Sequence, residues 1–323
     1  MANYTGIQGQ NILIVSSDPA NPTEGQIWYN STSNLLKGYA NVVTNAWASG
    51  GNMGTARYLL AGAGTQTAGL AIGGRVPPGN TQPGATEEYN GTSWASGGTM
   101  GTGRASLAGV GVQTSAVAFG GFGPTTSAAT EEYDGTSWTP GGTMNTARSN
   151  LAGAGTQTAA LAIGGEPITG ATEEYDGTSW TTNPNSLTTA RAVLGGVGTQ
   201  TAALAFGGDT GGAATTATEE YDGTSWTSGG NLNTSRAELA GAGTQTAGLA
   251  FGGTPPTTGA TELYNGTSWT TNPNSMATAR FNLGGAGTQT SALAFGGSPA
   301  PAPSNATEEW TGTAVAVRTI TTS

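Results

Sequence analysis

The sequence predicts an all-β fold of six four-stranded repeats, preceded by a short N-terminal β segment. Three observations carry this reading. Arginines recur at Arg57, Arg104, Arg148, Arg191, Arg236 and Arg280, spaced by 47, 44, 43, 45 and 44 residues. Each opens a small-residue run leading to an alternating apolar stretch closed by a glycine pair, as in ALAIGG at 160–165. The phrase ATEEYDGTSWT at 129–139 returns at 171–181 and 217–227, with near copies at 85–95 and 260–270. A frayed copy, ATEEWTGTAVA, stands at 306–316.

Within a unit, the first strand runs from the arginine to Gly-Thr-Gln-Thr, and the second ends at the glycine pair. The third is Thr-Glu-Glu-Tyr and the fourth Thr-Ser-Trp. Asp-Gly or Asn-Gly between the last two is the pair favoured in two-residue type I′ hairpins, with φ > 0 at both positions. Asn90 serves where Asp134 does, so the acid is expected to be turn chemistry. Four antiparallel strands per roughly 45 residues is the period of a β-propeller blade, where neighbouring blades bury each other's faces. The sixth unit ends in TGTAVAVRTI with Val315 in the tryptophan register, while Trp47 lies ten residues before Arg57. A last blade built from both chain ends is expected, because it removes two open sheet edges.

A hydrophobic strand ending in Gly-Gly, then a tyrosine, then a tryptophan after a short turn resembles the kelch signature. The match runs through Gly73–Gly74, Tyr89 and Trp94 and through five more glycine pairs beginning at Gly120, Gly164, Gly207, Gly252 and Gly296. It covers about residues 47–316, in units shorter and simpler than typical kelch units. The resemblance implies a six-bladed kelch-like β-propeller with a small N-terminal β appendage. The repeated TEEYDGTSW and GTQTAALAFGG phrases also resemble kelch-like structural proteins of bacteriophages, especially cyanophages and marine phages. EGQIWYNSTSNLLKGY at 24–39 resembles segments of phage tail and fibre proteins.

These resemblances imply a non-enzymatic virion structural protein: a tail fibre, decoration or adhesion module on the particle surface. Residues 1–46 would be the assembly segment, touching other virion proteins, and 47–323 the propeller. The implied further partner is a host-surface glycan or protein. The start MANYTGIQGQNILIVSSD lacks the basic beginning of a signal peptide, so synthesis in the host cytoplasm without ordinary export is expected.

Composition narrows the chemistry. Nineteen acidic residues against nine basic ones give a net charge of −10, which argues against nucleic acid as a partner. No apolar run approaches the ~20 residues of a bilayer-crossing helix. Histidine and cysteine are absent, which excludes disulfides, thiol nucleophiles, imidazole bases and Cys/His metal sites. The copper-dependent kelch enzymes need copper-binding histidine and a cysteine-linked tyrosine, so that activity is excluded. No catalytic residue, metal or cofactor is expected.

The first glutamate of each TEE phrase is Glu87, Glu131, Glu173, Glu219, Glu262 and Glu308, and the second becomes Leu263 in the fifth unit. Adjacent strand residues face opposite sides, which speaks against a catalytic pair. Each repeat arginine is expected to pair with a repeat glutamate, in its own blade or the next; an anion-binding arginine ring is the alternative. Trp94, Trp138, Trp180, Trp226 and Trp269 are expected to wedge between blades.

The strand order sends the near-uniform Gly-Thr-Gln-Thr and Asp/Asn-Gly turns to one face, and every irregular loop to the other. Binding residues favour loops on a rigid scaffold. The candidate binding residues are therefore Arg75, Phe122, Glu166, Ile168, Asp209 and Pro255, drawn from five of the six irregular loops. The alternative function is a carbohydrate-binding or glycoside-processing propeller. Three carboxylates in a cleft interrupting the repeat would favour it, and the sequence alone displays no such interruption.

Overall fold

The computed structural model describes residues 12–23, 26–78, 81–299 and 302–319. It is all-β, with no helix among the described residues. The chain divides into two compact units, Ala46–Trp310 and a smaller one of Met1–Asn45 with Thr311–Ser323. This redraws the expected boundaries: residue 46 belongs with the repeats, and 311–323 do not.

In the smaller unit, β1 (Leu13–Val15) pairs in parallel with β2 (Ile27–Asn30), which pairs antiparallel with β3 (Leu35–Ser49). Trp28 is fully buried. Asp18 accepts hydrogen bonds from Trp28 Nε1 (3.1 Å) and Asn30 Nδ2 (2.8 Å) and pairs with Lys37 Nζ at 2.7 Å. These donors, Lys37 foremost, lower the Asp18 pKa to about 2. Glu24 and Gly25 of the tail-like phrase, and the first eleven residues, lie outside the described residues.

In the larger unit, the first sheet holds β4 (Ala61–Thr65), β5 (Ala68–Ile72), β6 (Thr86–Tyr89) and β7 (Trp94–Ser96), antiparallel in that order. The second sheet is β8–β11 (Ala108–Val112, Ser115–Phe119, Thr130–Tyr133, Trp138–Pro140), and the third β12–β15 (Ala152–Thr156, Ala159–Ile163, Thr172–Tyr175, Trp180–Asn183). The fourth is β16–β19 (Gly195–Thr199, Ala202–Phe206, Thr218–Tyr221, Trp226–Ser228), and the fifth β20–β23 (Ala240–Thr244, Ala247–Phe251, Thr261–Tyr264, Trp269–Asn272). The last sheet follows the order β24 (Gly284–Thr288), β25 (Ser291–Phe295), β26 (Thr307–Thr319), β3. Residues 307–310 of β26 and 46–49 of β3 are the parts lying in this unit. Both ends of the repeat region thus share one sheet, and Trp47 occupies the fourth-strand position. The side chain of Val315 falls outside the described residues.

The innermost strands stand side by side in the cyclic order β4, β8, β12, β16, β20, β24, β4. They are glycine- and alanine-rich because they nearly touch: a Cβ on Gly62 would lie 2.4 Å from the carbonyl oxygen of Gly285. Apolar clusters fill the spaces between consecutive sheets, as where Val110 and Phe119 meet Ala160, Tyr175 and Trp180. This repetition of antiparallel sheets in sequence order is consistent with a β-propeller.

One turn differs from expectation. Between the third and fourth strands the loop is four residues long, and in the second sheet it joins the paired Tyr133 and Trp138. Only Gly135 has positive φ there, at 92°. Asp134 Oδ1 accepts the backbone N–H groups of Thr136 (2.8 Å) and Ser137 (2.7 Å). The turn is therefore closed by a side chain instead of a type I′ backbone. Asn90 does the same with its own Oδ1, which explains why aspartate and asparagine alternate at this position.

Candidate functional site

The scaffold under the site is fixed by the repeat arginines. Each is fully buried, with Nη2 on a glutamate of its own sheet: Arg57–Glu87 2.9 Å, Arg104–Glu131 3.0 Å, Arg148–Glu173 2.9 Å, Arg191–Glu219 3.2 Å, Arg236–Glu262 2.8 Å and Arg280–Glu308 2.8 Å. Nη1 bridges two carbonyls, for Arg148 those of Gly164 (2.7 Å) and Ala171 (2.8 Å). The second carboxylate oxygen accepts a backbone N–H from the preceding link, as Glu173 does from Asn145 at 2.7 Å. Burial pulls each arginine's pKa down, and its glutamate opposes that shift. Each of these arginines engages both Nη groups inside the scaffold. Its Nε has no partner but is fully buried, where an anion-binding ring would need donors within reach of a ligand.

The glycine pair follows from the same joint. Gly73 and Gly74 have φ of 59° and 97°, and a Cβ on Gly73 would lie 2.5 Å from the carbonyl oxygen of Arg104. Gly74 N–H donates to that same carbonyl at 2.9 Å, tying one sheet to the next repeat's arginine.

Three further contacts bind consecutive sheets. Tryptophan Nε1 donates to the threonine of the preceding TEE phrase, as in Trp138 to Thr86 and Trp180 to Thr130, both 2.9 Å. Trp94 to Thr307 and Trp47 to Thr261 make the same bond at 2.9 Å, so the first and last sheets are linked as the others are. Tyrosine hydroxyls donate to the second glutamate of the preceding sheet, Tyr133 to Glu88 at 2.5 Å and Tyr175 to Glu132 at 2.6 Å. The glutamine of each Gly-Thr-Gln-Thr turn donates to two carbonyls of the preceding sheet, Gln113 to Gly69 (3.0 Å) and Tyr89 (2.8 Å). Gln66 closes the series on Ala292 (3.2 Å) and Trp310 (2.7 Å). In the sequence these turns stand out only as the near-uniform side of the fold; the invariance of their glutamine among the six copies was the available signal.

On the face of the irregular loops lies a concavity. One part, about 830 Å³, is lined by Phe122, Glu166, Ile168 and Asp209 together with Asn150, Val193 and Glu238. An adjoining part of about 300 Å³ adds Arg75, Leu59, Ser106 and Asn282. Five of the six sequence candidates thus meet at one place. Pro255 is not among the residues lining it. The Arg75 guanidinium lies 5.8 Å from the Phe122 ring centroid and makes no ion pair among the described residues. Ile168 stays 40% exposed at the rim. Asp209 Oδ1 accepts N–H groups of Gly211 (2.6 Å) and Gly212 (3.0 Å). Burial raises the Glu238 pKa, a bond with Asn282 lowers it, and the charge of Asp209 raises it. Residues 79–80 and 300–301 of two rim loops lie outside the described residues.

The floor of this concavity escaped the sequence reading. The residue two places after each repeat arginine has φ between 48° and 58°: Leu59, Ser106, Asn150, Val193, Glu238 and Asn282. Their backbones hydrogen-bond head to tail. Ser106 N–H donates to Leu59 O, Asn150 to Ser106, Val193 to Asn150 and Glu238 to Val193, all at 2.8 Å. Asn282 donates to Glu238 and Leu59 to Asn282, both at 2.9 Å, so the bonds return to their start. A chamber of about 100 Å³ is bordered by the ring residues and by the leucine that follows each of them, among them Leu60, Leu107 and Leu151. The sequence signal was variation between the fixed arginine and leucine of each unit, where this slot reads Leu, Ser, Asn, Val, Glu, Asn.

Among the described residues, no group of three or more acidic, histidine or cysteine side chains is placed to hold a metal ion. No protein-family model matches the chain. Comparison with curated proteins gives no match either.

Proposed function

We propose that residues 46–310 form a six-bladed kelch-like β-propeller whose irregular-loop face binds a host-surface glycan. In this reading the protein is a non-enzymatic structural component of a phage particle, displaying that face outward as a fibre, decoration or adhesion module. The smaller unit joins it to other virion proteins. One observation carries the binding reading: positions that differ between repeats gather at a single concavity, while the opposite turns are nearly identical. The head-to-tail ring of backbone bonds supports the six-bladed arrangement. The phage assignment rests on the resemblance of the repeated phrases and of residues 24–39, and a fold alone does not fix function.

The test uses the full chain, labelled and applied to host cells. Saturable binding that Ile168→Asp weakens, and that removal of surface polysaccharide abolishes, supports the reading. Binding that survives both treatments refutes it. Co-purification with particles, lost on deleting residues 1–45, tests the attachment role.

One observation favours the alternative of a glycoside-processing propeller. Glu166, Asp209 and Glu238 line the same concavity, and Glu238 holds its proton more tightly than an ordinary glutamate. Hydrolysis of an oligosaccharide by the native chain, lost in Glu238→Gln, would replace the non-enzymatic reading with this one.

A further inference from the structure

The chain uses glycine for positive φ throughout residues 46–310, with one exception per repeat. Among the described residues of this unit, the only non-glycine residues with φ in the left-handed region are the six floor residues named above. Twenty-four glycines take that conformation elsewhere, so glycine is the chain's ordinary solution. A side chain there strains the backbone, most of all the β-branched Val193. The ring's N–H and C=O groups are satisfied by one another, so its backbone closes without help from these side chains, of which Asn282 bonds Glu238. What these side chains do is line the concavity.

We propose that these six side chains form the specificity-determining floor of the glycan site, contacting the terminal, uncharged hexose of a chain that enters end-on. This rests on the reading that the loop face binds a glycan. In ring order the residues are apolar, hydroxyl, amide, apolar, carboxyl, amide, so Leu59 and Val193 stand three places apart, as do Asn150 and Asn282. A pyranose has the matching character: two faces of C–H groups and an edge of hydroxyls that both donate and accept. Amides and hydroxyls supply both roles, and Glu238 adds an acceptor. The bowl of about 300 Å³ above the floor is in the size range of small-ligand sites. Its lining carries Glu166 and Glu238 against Arg75 alone, which disfavours acidic sugars.

The test immobilises neutral glucan, mannan and galactan oligosaccharides beside sialylated and sulfated ones, and probes them with the full chain. The expected result is retention on a neutral oligosaccharide and none on the acidic ones. Asn150→Gly, and Asn282→Asp, which keeps a residue tolerant of this conformation, should each weaken binding by about tenfold. Val193→Gly should raise the melting temperature by about 2 °C, and no glycine replacement in the ring should lower it. Preference for acidic oligosaccharides, or binding to none of the panel, overturns the sugar assignment. Lower melting temperatures in the glycine variants overturn the ring as a recognition device, because the side chains would then be packing elements. Native binding in the ring variants, alongside loss in Ile168→Asp, overturns the ring while leaving the loop-face reading intact. Native binding in Ile168→Asp as well removes both.

Discussion

Leu263 and Trp310 stand at the one joint between consecutive sheets that lacks both the carboxylate and the phenol found at the others. Elsewhere a tyrosine hydroxyl donates to the second glutamate of the preceding sheet, from Tyr133 onto Glu88 to Tyr89 onto Glu309. At the fifth sheet Leu263 replaces the acceptor, and at the sixth Trp310 replaces the donor. Leu263 packs against the apolar cluster containing Trp310, whose Nε1 donates to Gln289 O at 2.8 Å instead. Two departures from the repeat compensate each other.

Changing one of them alone should therefore be harmful. Leu263→Glu sets a carboxylate against an apolar cluster with no hydroxyl to meet it, and should cost about 2–3 kcal/mol. Adding Trp310→Tyr to that variant should recover part of the loss. A double-mutant cycle by urea unfolding measures the coupling; strict additivity would show that the pair is incidental.

The same joints set an alkaline limit. Burial foremost, then the neighbouring glutamate, pushes the pKa values of Tyr89, Tyr133, Tyr175 and Tyr264 up to about 12, and that of Tyr221 is raised too. An unfolded tyrosine titrates near ~10, so the folded state holds these protons more tightly. Their stabilisation is complete below about pH 10 and is lost as pH rises toward about 12. The urea midpoint should stay level from about pH 7 to 9 and fall steeply above about 10. Tyr133→Phe should make that fall shallower. An unchanged slope would refute the assignment.

The arginines are predicted to be the least replaceable residues. Arg148→Met leaves Glu173 without its cation and the carbonyl of Gly164 without a donor, while Ala171 O keeps the Gly164 N–H, a loss of about 3–5 kcal/mol. Arg148→Lys should recover little, because one ammonium cannot reproduce the planar fork. Combining Arg148→Met with Glu173→Gln should cost less than Arg148→Met alone. Chemical denaturation checks all three.

Hairpin chemistry makes a contrasting prediction. Asp134→Asn should change stability by less than about 0.5 kcal/mol, since the amide oxygen serves equally well at Asn90 and Asn265. Asp134→Ala removes both bonds to the Thr136 and Ser137 amides and should cost about 1–2 kcal/mol. Thermal melts of the two variants decide the matter.

Much of this was legible in the sequence, for a physical reason. Sheet-forming phrases such as TEEY and the glycine pairs obey local rules of alternation and φ, and local rules survive in a string of letters. Arg148 and Glu173 were readable as partners because both recur in phase. The loop candidates Arg75, Phe122, Glu166, Ile168 and Asp209 were readable from topology, which sends irregular loops to one face. Gln113 and the ring from Leu59 to Asn282 were not, because their roles depend on backbone groups of a neighbouring sheet. The turn at Asp134 was misread because Asp-Gly also suits a shorter loop, and only the pairing of Tyr133 with Trp138 decides its length.

The last sheet joins residues 46–49 to residues 307–310, and this governs the timing of folding. During synthesis the strand carrying Trp47 is made well before its partner at 307–310, with five complete sheets between them. The early repeats can form sheets and pack in order, but the seam stays unmade until residues 307–310 have been made. A chain stalled before Thr307 therefore exposes Trp47, Trp94 and the edges that should cover them.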